Sequence, residues 1–157
     1  MRGAVYIETS VVSYYAGNLS RDLVIAARQQ ETQEWWQKRR KNFDTFISKL
    51  VLDEAAAGDP EAAARRLKFL EGIPLLVLND AVLRLAELLL RRKAIPAKSP
   101  NDAAHIAAAA VHGMDYLITW NFAHLNNAET KGEVEETIRR YGFECPVICS
   151  PEELMGG

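Results

Sequence analysis

Four side chains far apart in the chain have the types needed for phosphodiester chemistry. They are Glu8, Glu54, Asp102 and Asn121. Glu8 closes an apolar run, Ala4-Val-Tyr-Ile7, where packing has no use for a carboxylate. Glu54 falls a few residues past a second apolar run, in Ser48-Lys-Leu-Val-Leu-Asp-Glu54, and its neighbour Asp53 reads as solvated. Asn121 directly follows a third, in Thr119-Trp-Asn121. In an open parallel sheet, ligands bind beyond the carboxyl ends of the strands. Glu8, Glu54 and Asn121 are therefore placed at one rim. Asp102 joins them if the residues before it carry the chain back to that edge. Three carboxylates held together repel one another, and a cation relieves the repulsion. An oxygen-only set suits Mg²⁺ or Mn²⁺. Such an ion on a phosphodiester lowers the pKa of a water and offsets the charge that builds on phosphorus.

Each residue also has a structural explanation. Glu8 can be a solvated strand end or a charge at a helix start. Ser99-Pro-Asn-Asp102 resembles a capping box with Pro at the first helical position. Asn121 can cap a helix over 122–127. His105 lies three residues after Asp102 on the same helical face. It suits either an outer contact or a hydrogen-bonded interior histidine, the commoner case. His112, before Gly113, suits a helix C-terminus, and His124 is expected to be exposed. No Ser-His-Asp, Cys-His or phosphate-loop pattern competes with the acidic set.

The elements that must position these residues alternate along the chain. Strand candidates are 4–8, 43–48, 74–78, 116–120 and 146–149, mostly apolar on both faces as buried parallel strands are. Helical spacing is clearest at 60–71, where Asp59 can cap, Pro60 opens and Gly72 closes the helix. It recurs at 80–93 and 133–141. Alternation of this kind predicts an α/β fold, a three-layer α/β/α sandwich around a mostly parallel sheet of about five strands. With no internal repeat or linker, residues 1–157 read as one domain. Residues 20–42 stand apart. Their apolar stripe is thin, which predicts a projecting helical arm, a lid or an oligomer contact. Within it, Trp35-Trp-Gln-Lys-Arg-Arg-Lys41 reads either as a stacking platform for single-stranded RNA or as a helix end with one Trp in the core. Arg91-Arg-Lys93 and Lys98 form a second basic cluster, just before Asp102.

Composition agrees with an ordinary globular domain. The chain has 157 residues, 48% hydrophobic and 25% charged, and that balance excludes disordered, collagen-like and coiled-coil classes. A net charge of −2 argues against binding polyanions over the whole surface, so any nucleic acid needs a local basic patch. No apolar run is long enough to span a bilayer. The start of the chain leaves no room for a signal peptide before structure begins, and a cytoplasmic location is the expectation. Cys145 and Cys149 would lie about 13 Å apart along a strand, beyond the roughly 7 Å that a disulfide allows, so free thiols are expected.

Four segments in order carry a resemblance. Val5-Tyr-Ile-Glu-Thr-Ser10, Ile47-Ser-Lys-Leu-Val-Leu-Asp-Glu54, Asn101-Asp-Ala-Ala-His-Ile-Ala-Ala-Ala109 and Leu117-Ile-Thr-Trp-Asn-Phe122 resemble the motifs of PIN-domain proteins. These include the ribonuclease toxins of VapBC-type toxin–antitoxin systems, and the closing residues 146–154 are also similar. The resemblance implies a Mg²⁺- or Mn²⁺-dependent ribonuclease neutralised by a cognate antitoxin protein. A metal-activated water attacking in line would leave 5′-phosphate and 3′-hydroxyl ends, and the segment 20–42 suits a homodimer contact. The resemblance assigns Glu8, Glu54 and Asp102 as metal ligands and Asn121 to the fourth acidic position. Ser10 and Thr119 fall where the family keeps small hydroxyls behind the ligands. The family usually has Asp at the position of Glu8 and often at that of Asn121. Three remaining carboxylates suit one divalent ion better than two. A non-catalytic PIN-like module that binds RNA or protein is the alternative. A phosphoacceptor signalling domain fits poorly, because no Lys follows the fifth strand.

Overall fold

The computed structural model describes residues 2–156. Its five strands are β1 (Gly3–Ile7), β2 (Phe43–Ser48), β3 (Leu75–Leu76), β4 (Tyr116–Ile118) and β5 (Val147–Cys149). They form one parallel sheet in the order β3-β2-β1-β4-β5. Seven helices flank the sheet among the described residues. They are α1 (Thr9–Ala16), α2 (Leu23–Glu34), α3 (Lys49–Ala55), α4 (Pro60–Leu70), α5 (Asp80–Arg91), α6 (Pro100–Val111) and α7 (Lys131–Arg140). This is the α/β/α arrangement expected from the alternation.

The strand order fixes where a ligand can go. From β1 the chain builds outward through β2 and β3, then returns to the other side of β1 for β4 and β5. The direction of winding therefore reverses between β1 and β4. The carboxyl ends of those two strands border the crevice in which open α/β sheets bind ligands. β1 is central, and Val5, Tyr6 and Ile7 are fully buried in it. Register pairs Tyr6 with Phe46 on one side and Leu117 on the other.

Local chemistry sets the helix ends. Asp59 accepts the Ala62 N–H at 3.0 Å and Pro60 opens α4. Past its end, Gly72 takes φ +81°, a left-handed backbone that glycine adopts without strain. Asn79 caps α5 through the Val82 N–H at 3.0 Å, and Leu85 and Leu89 on its inner face are fully buried. β3 is shorter than the predicted 74–78. It is an edge strand, with Leu75 and Val77 exposed. β4 spans Tyr116–Ile118, shorter than the expected 116–120, and the Thr119 N–H makes its last bond to β5 at the Cys149 carbonyl, 2.9 Å away.

The segment 20–42 is exposed at its start, where Leu23 and Val24 face solvent, and packed from Gln29 onward. α2 packs on α1 and runs directly into a π-helical turn, Trp35–Arg39. Trp35 and Trp36 are both buried, and Tyr15 stacks on Trp36 with ring centroids 4.8 Å apart. Inside α2, Thr32 receives the Trp120 indole N–H at 2.8 Å. A thin stripe suffices here because polar side chains facing inward find partners. The stacking-platform reading of Trp35–Lys41 is therefore corrected, since both indoles are committed to the interior. Arg40 covers Trp36 from outside at 4.8 Å. The cysteines are free, and burial pushes both thiols up to about 12.

Candidate active site

Glu8 is the first residue beyond β1 and the N-cap of α1. Its Oε2 accepts the Ser10 N–H at 3.1 Å, so it satisfies one of the orphan donors of the helix. It is also nearly buried at the crevice, so the helix-start and site readings hold together. Two hydroxyls converge on its Oε1, Ser10 Oγ at 2.5 Å and Thr119 Oγ1 at 2.6 Å. Those hydroxyls are held in turn. Ser10 Oγ accepts the Trp120 N–H at 2.8 Å, and Thr119 Oγ1 accepts the Asn121 N–H at 2.9 Å. The exit of β4 is thus tied to the exit of β1 through the carboxylate of Glu8.

α3 starts where β2 ends. Val51 and Ala55 face the core, and Glu54, three residues after Val51, is carried inward with them while Asp53 is exposed. Glu54 Oε1 accepts from Thr9 Oγ1 and His105 Nε2, both at 2.6 Å, and its Oε2 from Asn101 Nδ2 at 3.4 Å. Burial alone would raise its pKa. The hydrogen bonds from His105, Thr9 and Asn101 win, and hold Glu54 below the usual carboxylate range.

α6 supplies His105 and Asp102. A run of alanines, Ala107–Ala110, lets this helix pack closely on the sheet, and His105 is fully buried. The ring is engaged at both nitrogens. Nε2 meets Glu54, and Nδ1 lies 2.7 Å from the Tyr6 hydroxyl. That hydroxyl lies 2.8 Å from Ser48 Oγ. A carboxylate only accepts, so Nε2 donates to Glu54. The Tyr6 hydroxyl bridges His105 Nδ1 and the Ser48 hydroxyl, one bond on each side. Burial pushes the Tyr6 hydroxyl far above its ordinary pKa, so the phenol keeps its proton.

Glu8, Glu54 and His105 each offer a ligand atom, all within 4.8 Å of one another. Both nitrogens of His105 are taken by Glu54 and Tyr6 and the ring holds Glu54 in place, so the two carboxylates are what this arrangement offers a divalent cation. The Oε2 atoms of Glu8 and Glu54 each accept only one long bond, 3.1 and 3.4 Å, which leaves lone pairs for it.

Asp102 lies in the first turn of α6 at the same edge, where its neighbour Asn101 reaches Glu54. It is not one of the close trio. Its Oδ2 lies 2.9 Å from His124 Nδ1, which is 3.2 Å from Ser99 Oγ. The capping box therefore does not form: Ser99 occupies the N-cap position but its side chain caps no backbone N–H. His124, expected in solvent, is half-buried by the same contacts. Asn121 Oδ1 accepts the His124 N–H at 3.0 Å and closes a turn where a short helix was expected over 122–127.

The sequence reading missed Tyr6 and Ser48. Period-2 alternation places Tyr6 on the same face of β1 as Glu8, and a buried phenol needs a partner. Those two facts together were the available signal.

A parallel α/β sheet with Glu8 and Glu54 gathered at its topological switch point defines a class of α/β proteins whose ligand crevice is acidic. Comparison with protein families narrows this. The PIN domain family matches residues 5–126, and the chain belongs to that family. Comparisons with curated proteins and with solved structures gave no match. PIN domains are generally nucleases, and they typically use divalent metals.

Proposed function

We propose that this protein is a metal-dependent endoribonuclease that hydrolyses RNA phosphodiesters to 5′-phosphate and 3′-hydroxyl ends. One observation carries the reading: in a PIN chain, Glu8 and Glu54 from separate elements meet beside His105 with ligand atoms within 4.8 Å. Glu8 and Glu54 would hold Mg²⁺ or Mn²⁺, with Asp102 at the rim of the same site. When bound, the ion supplies a Lewis acid for the phosphate and lowers the pKa of water.

The chain's own residues do the positioning. Ser10 and Thr119 fix Oε1 of Glu8, and the Ser10 N–H holds Oε2. Thr9 and His105 fix Oε1 of Glu54 in the same way and keep it ionised. His124 orients Asp102. Asn121 ties the β4 exit to the His124 turn, which sets that exit against Ser10. Lys49 at the β2 exit and Lys98 before α6 are exposed at this edge and would meet the RNA backbone.

The toxin role and a cognate antitoxin belong to the same proposal, supported by the order of the four motifs, and so does a homodimer, for which Leu23 and Val24 at the start of α2 offer exposed apolar side chains. A non-catalytic module is the second reading. The observation that favours it is Asn121, whose oxygen is committed to a turn and whose position carries no charge.

The test is cleavage of a fluorescent single-stranded RNA by the purified chain with Mn²⁺, Mg²⁺ or EDTA, followed by end-group analysis. Metal-dependent cutting that leaves 5′-phosphates, and is lost in Glu54→Gln, supports the proposal. Cyclic phosphate ends would overturn the mechanism. Metal uptake without any cutting would favour the binding module.

A further inference from the structure

Among the described residues, five glycines take a left-handed backbone, Gly58, Gly72, Gly113, Gly142 and Gly156. One residue with a side chain joins them, Lys93 at φ 59°. A Cβ makes that conformation costly, and glycine is the usual residue just past a helix end. α5, α6 and α7 close through the same pair of bonds. The left-handed residue donates three positions back, and the next residue donates five positions back. In α6 these are Gly113 to Ala110 and Met114 to Ala109, and in α7 Gly142 to Arg139 and Phe143 to Ile138. In α5 they are Lys93 to Leu90 and Ala94 to Leu89. α5 thus makes with lysine a turn that its neighbours make with glycine.

The turns lie at different edges. Gly113 and Gly142 lead into β4 and β5, so they sit where the parallel strands begin, away from the acidic site. Lys93 leads instead into α6, whose first turn holds Asp102 and brings Asn101 to Glu54. Its neighbour Arg92 pairs at 3.4 Å with Glu133, in the first turn of α7. α7 descends from the carboxyl edge of the sheet to the start of β5, so its first turn marks that edge. Ser99, at the other end of the connection, meets His124 past the exit of β4. The whole turn from Lys93 to Ser99 is therefore on the site's side of the sheet.

The fold does not need this lysine's charge. Arg91 and Arg92 already place cations at the C-terminus of α5, and they are tied to Glu87 and Glu133. Lys93 and Lys98 are exposed and form no ion pair among the described residues.

We infer that the α5–α6 turn holds the RNA backbone on the Asp102 side of the site, with Lys93 and Lys98 each meeting a phosphate. The inference rests on the ribonuclease reading for its substrate and assigns the path of that substrate's backbone. Strained backbone at a position that glycine would relieve points to a side chain kept for function. An RNA strand brings its negative charge toward Glu8 and Glu54, on a chain whose net charge is −2. Free ammonium groups beside Asp102 offset that repulsion and steer the phosphates. Lysine is a point charge on a flexible stem, so it fixes register without reading bases.

The experiment is salt-dependent binding in EDTA, where cleavage plays no part. The full chain is titrated into a fluorescent uridine dodecamer and followed by anisotropy from about 50 to about 300 mM KCl. Each phosphate neutralised on a single strand contributes about 0.7 to the slope of log K against log salt. Lys93→Gln and Lys98→Gln should each reduce the slope by about 0.7 and weaken binding by roughly threefold to tenfold at the lowest salt. Lys93→Gly should lose as much binding while raising Tm by roughly 2–4 °C, because the turn then has the residue it favours. Lys93→Arg should keep the wild-type slope. Lys41→Gln, which removes an exposed charge just before β2 at the opposite edge, should also keep it. A wild-type slope in Lys93→Gly would overturn the inference. So would equal losses from Lys41→Gln and Lys93→Gln, since only total charge would then matter. A Lys93→Gly chain no more stable than wild type would overturn it too, because lysine would then sit in the turn at no cost. Unchanged binding by the Lys93 and Lys98 variants with cutting intact removes this surface and leaves the ribonuclease. The expected loss of slope in a chain that cuts no RNA with any metal supports the surface and removes the ribonuclease reading.

Discussion

Tyr6→Phe removes one oxygen atom from the centre of the sheet, and the structure fixes what that atom does. The Tyr6 hydroxyl is fully buried and bridges Ser48 Oγ at 2.8 Å and His105 Nδ1 at 2.7 Å. Phenylalanine fills the same volume, so no cavity opens and the effect is one of hydrogen bonding. The Ser48 hydroxyl and the His105 ring nitrogen each lose a partner where water does not reach. A buried polar group left unpaired costs about 1–3 kcal/mol. The Ser48 hydroxyl can rotate, whereas Nδ1 is fixed by the Nε2 bond to Glu54, so a total of about 2–4 kcal/mol is expected. For a chain of this length that lowers Tm by roughly 5–15 °C. Circular dichroism melts of wild type, Tyr6→Phe, Ser48→Ala and the double variant measure it. The two substitutions should be coupled by at least about 0.5 kcal/mol, because they remove the two ends of one bond. RNA cleavage by Tyr6→Phe at a temperature well below its Tm reads the second consequence, that His105 orients Glu54 less firmly. A melt within about 2 °C of wild type would show that no hydrogen-bond chain runs from Ser48 to Glu54.

Further outcomes follow from the same geometry. Thr119→Val removes the donor to Glu8 Oε1 and the acceptor of the Asn121 N–H, and should cost about 1–3 kcal/mol in a denaturant titration. It should slow cleavage by roughly tenfold to a hundredfold through displacement of Glu8, while Thr119→Ser should retain most of both. Because the fold holds Glu54 below the ordinary carboxylate range, its contribution to stability is full above that range and is lost as pH falls through it toward the lower folded value. Glu54→Gln should therefore lose less stability than wild type between about pH 6 and pH 3, read by thermal melts across pH. Mn²⁺ at about a hundred times its Kd should stabilise the wild type by about 2.7 kcal/mol, a Tm rise of roughly 5–10 °C. Glu8→Gln and Glu54→Gln should each abolish most of that rise.

Much of the site was readable because its residues interrupt patterns. A carboxylate ending the buried run Ala4–Ile7 has no packing role, and Glu54 follows strand β2 at a spacing that one helical turn explains. Ser10 and Thr119 both bond Glu8 Oε1. His105 proved to be the interior, hydrogen-bonded histidine that its helical face suggested, and it also touches Glu54. The pattern failed where polar side chains face inward. Beside the basic run one Trp was expected in the core, yet both Trp35 and Trp36 are buried, and Tyr15 stacks on Trp36. The apolar stripe of residues 20–42 is thin because the buried positions of α2, Gln29 and Thr32, are polar and do not register as apolar. Asp102 looked like half of a capping box. Only the fold brings His124, 22 residues away, close enough to take its carboxylate.

The order of apolar runs and helical spacing, with acids placed just past the runs, determined the parallel α/β architecture and the edge where chemistry belongs. These are local features, and each is written in a few consecutive residues. Tertiary structure decided which groups touch. It joined Tyr6 to His105 and Glu54, gave Asp102 to His124, and set Arg28 of α2 over the rings that follow β4. Such contacts link residues separated by 22 to 99 positions, and hydrogen bonds at a separation under 3 Å depend on helix packing that no local pattern encodes.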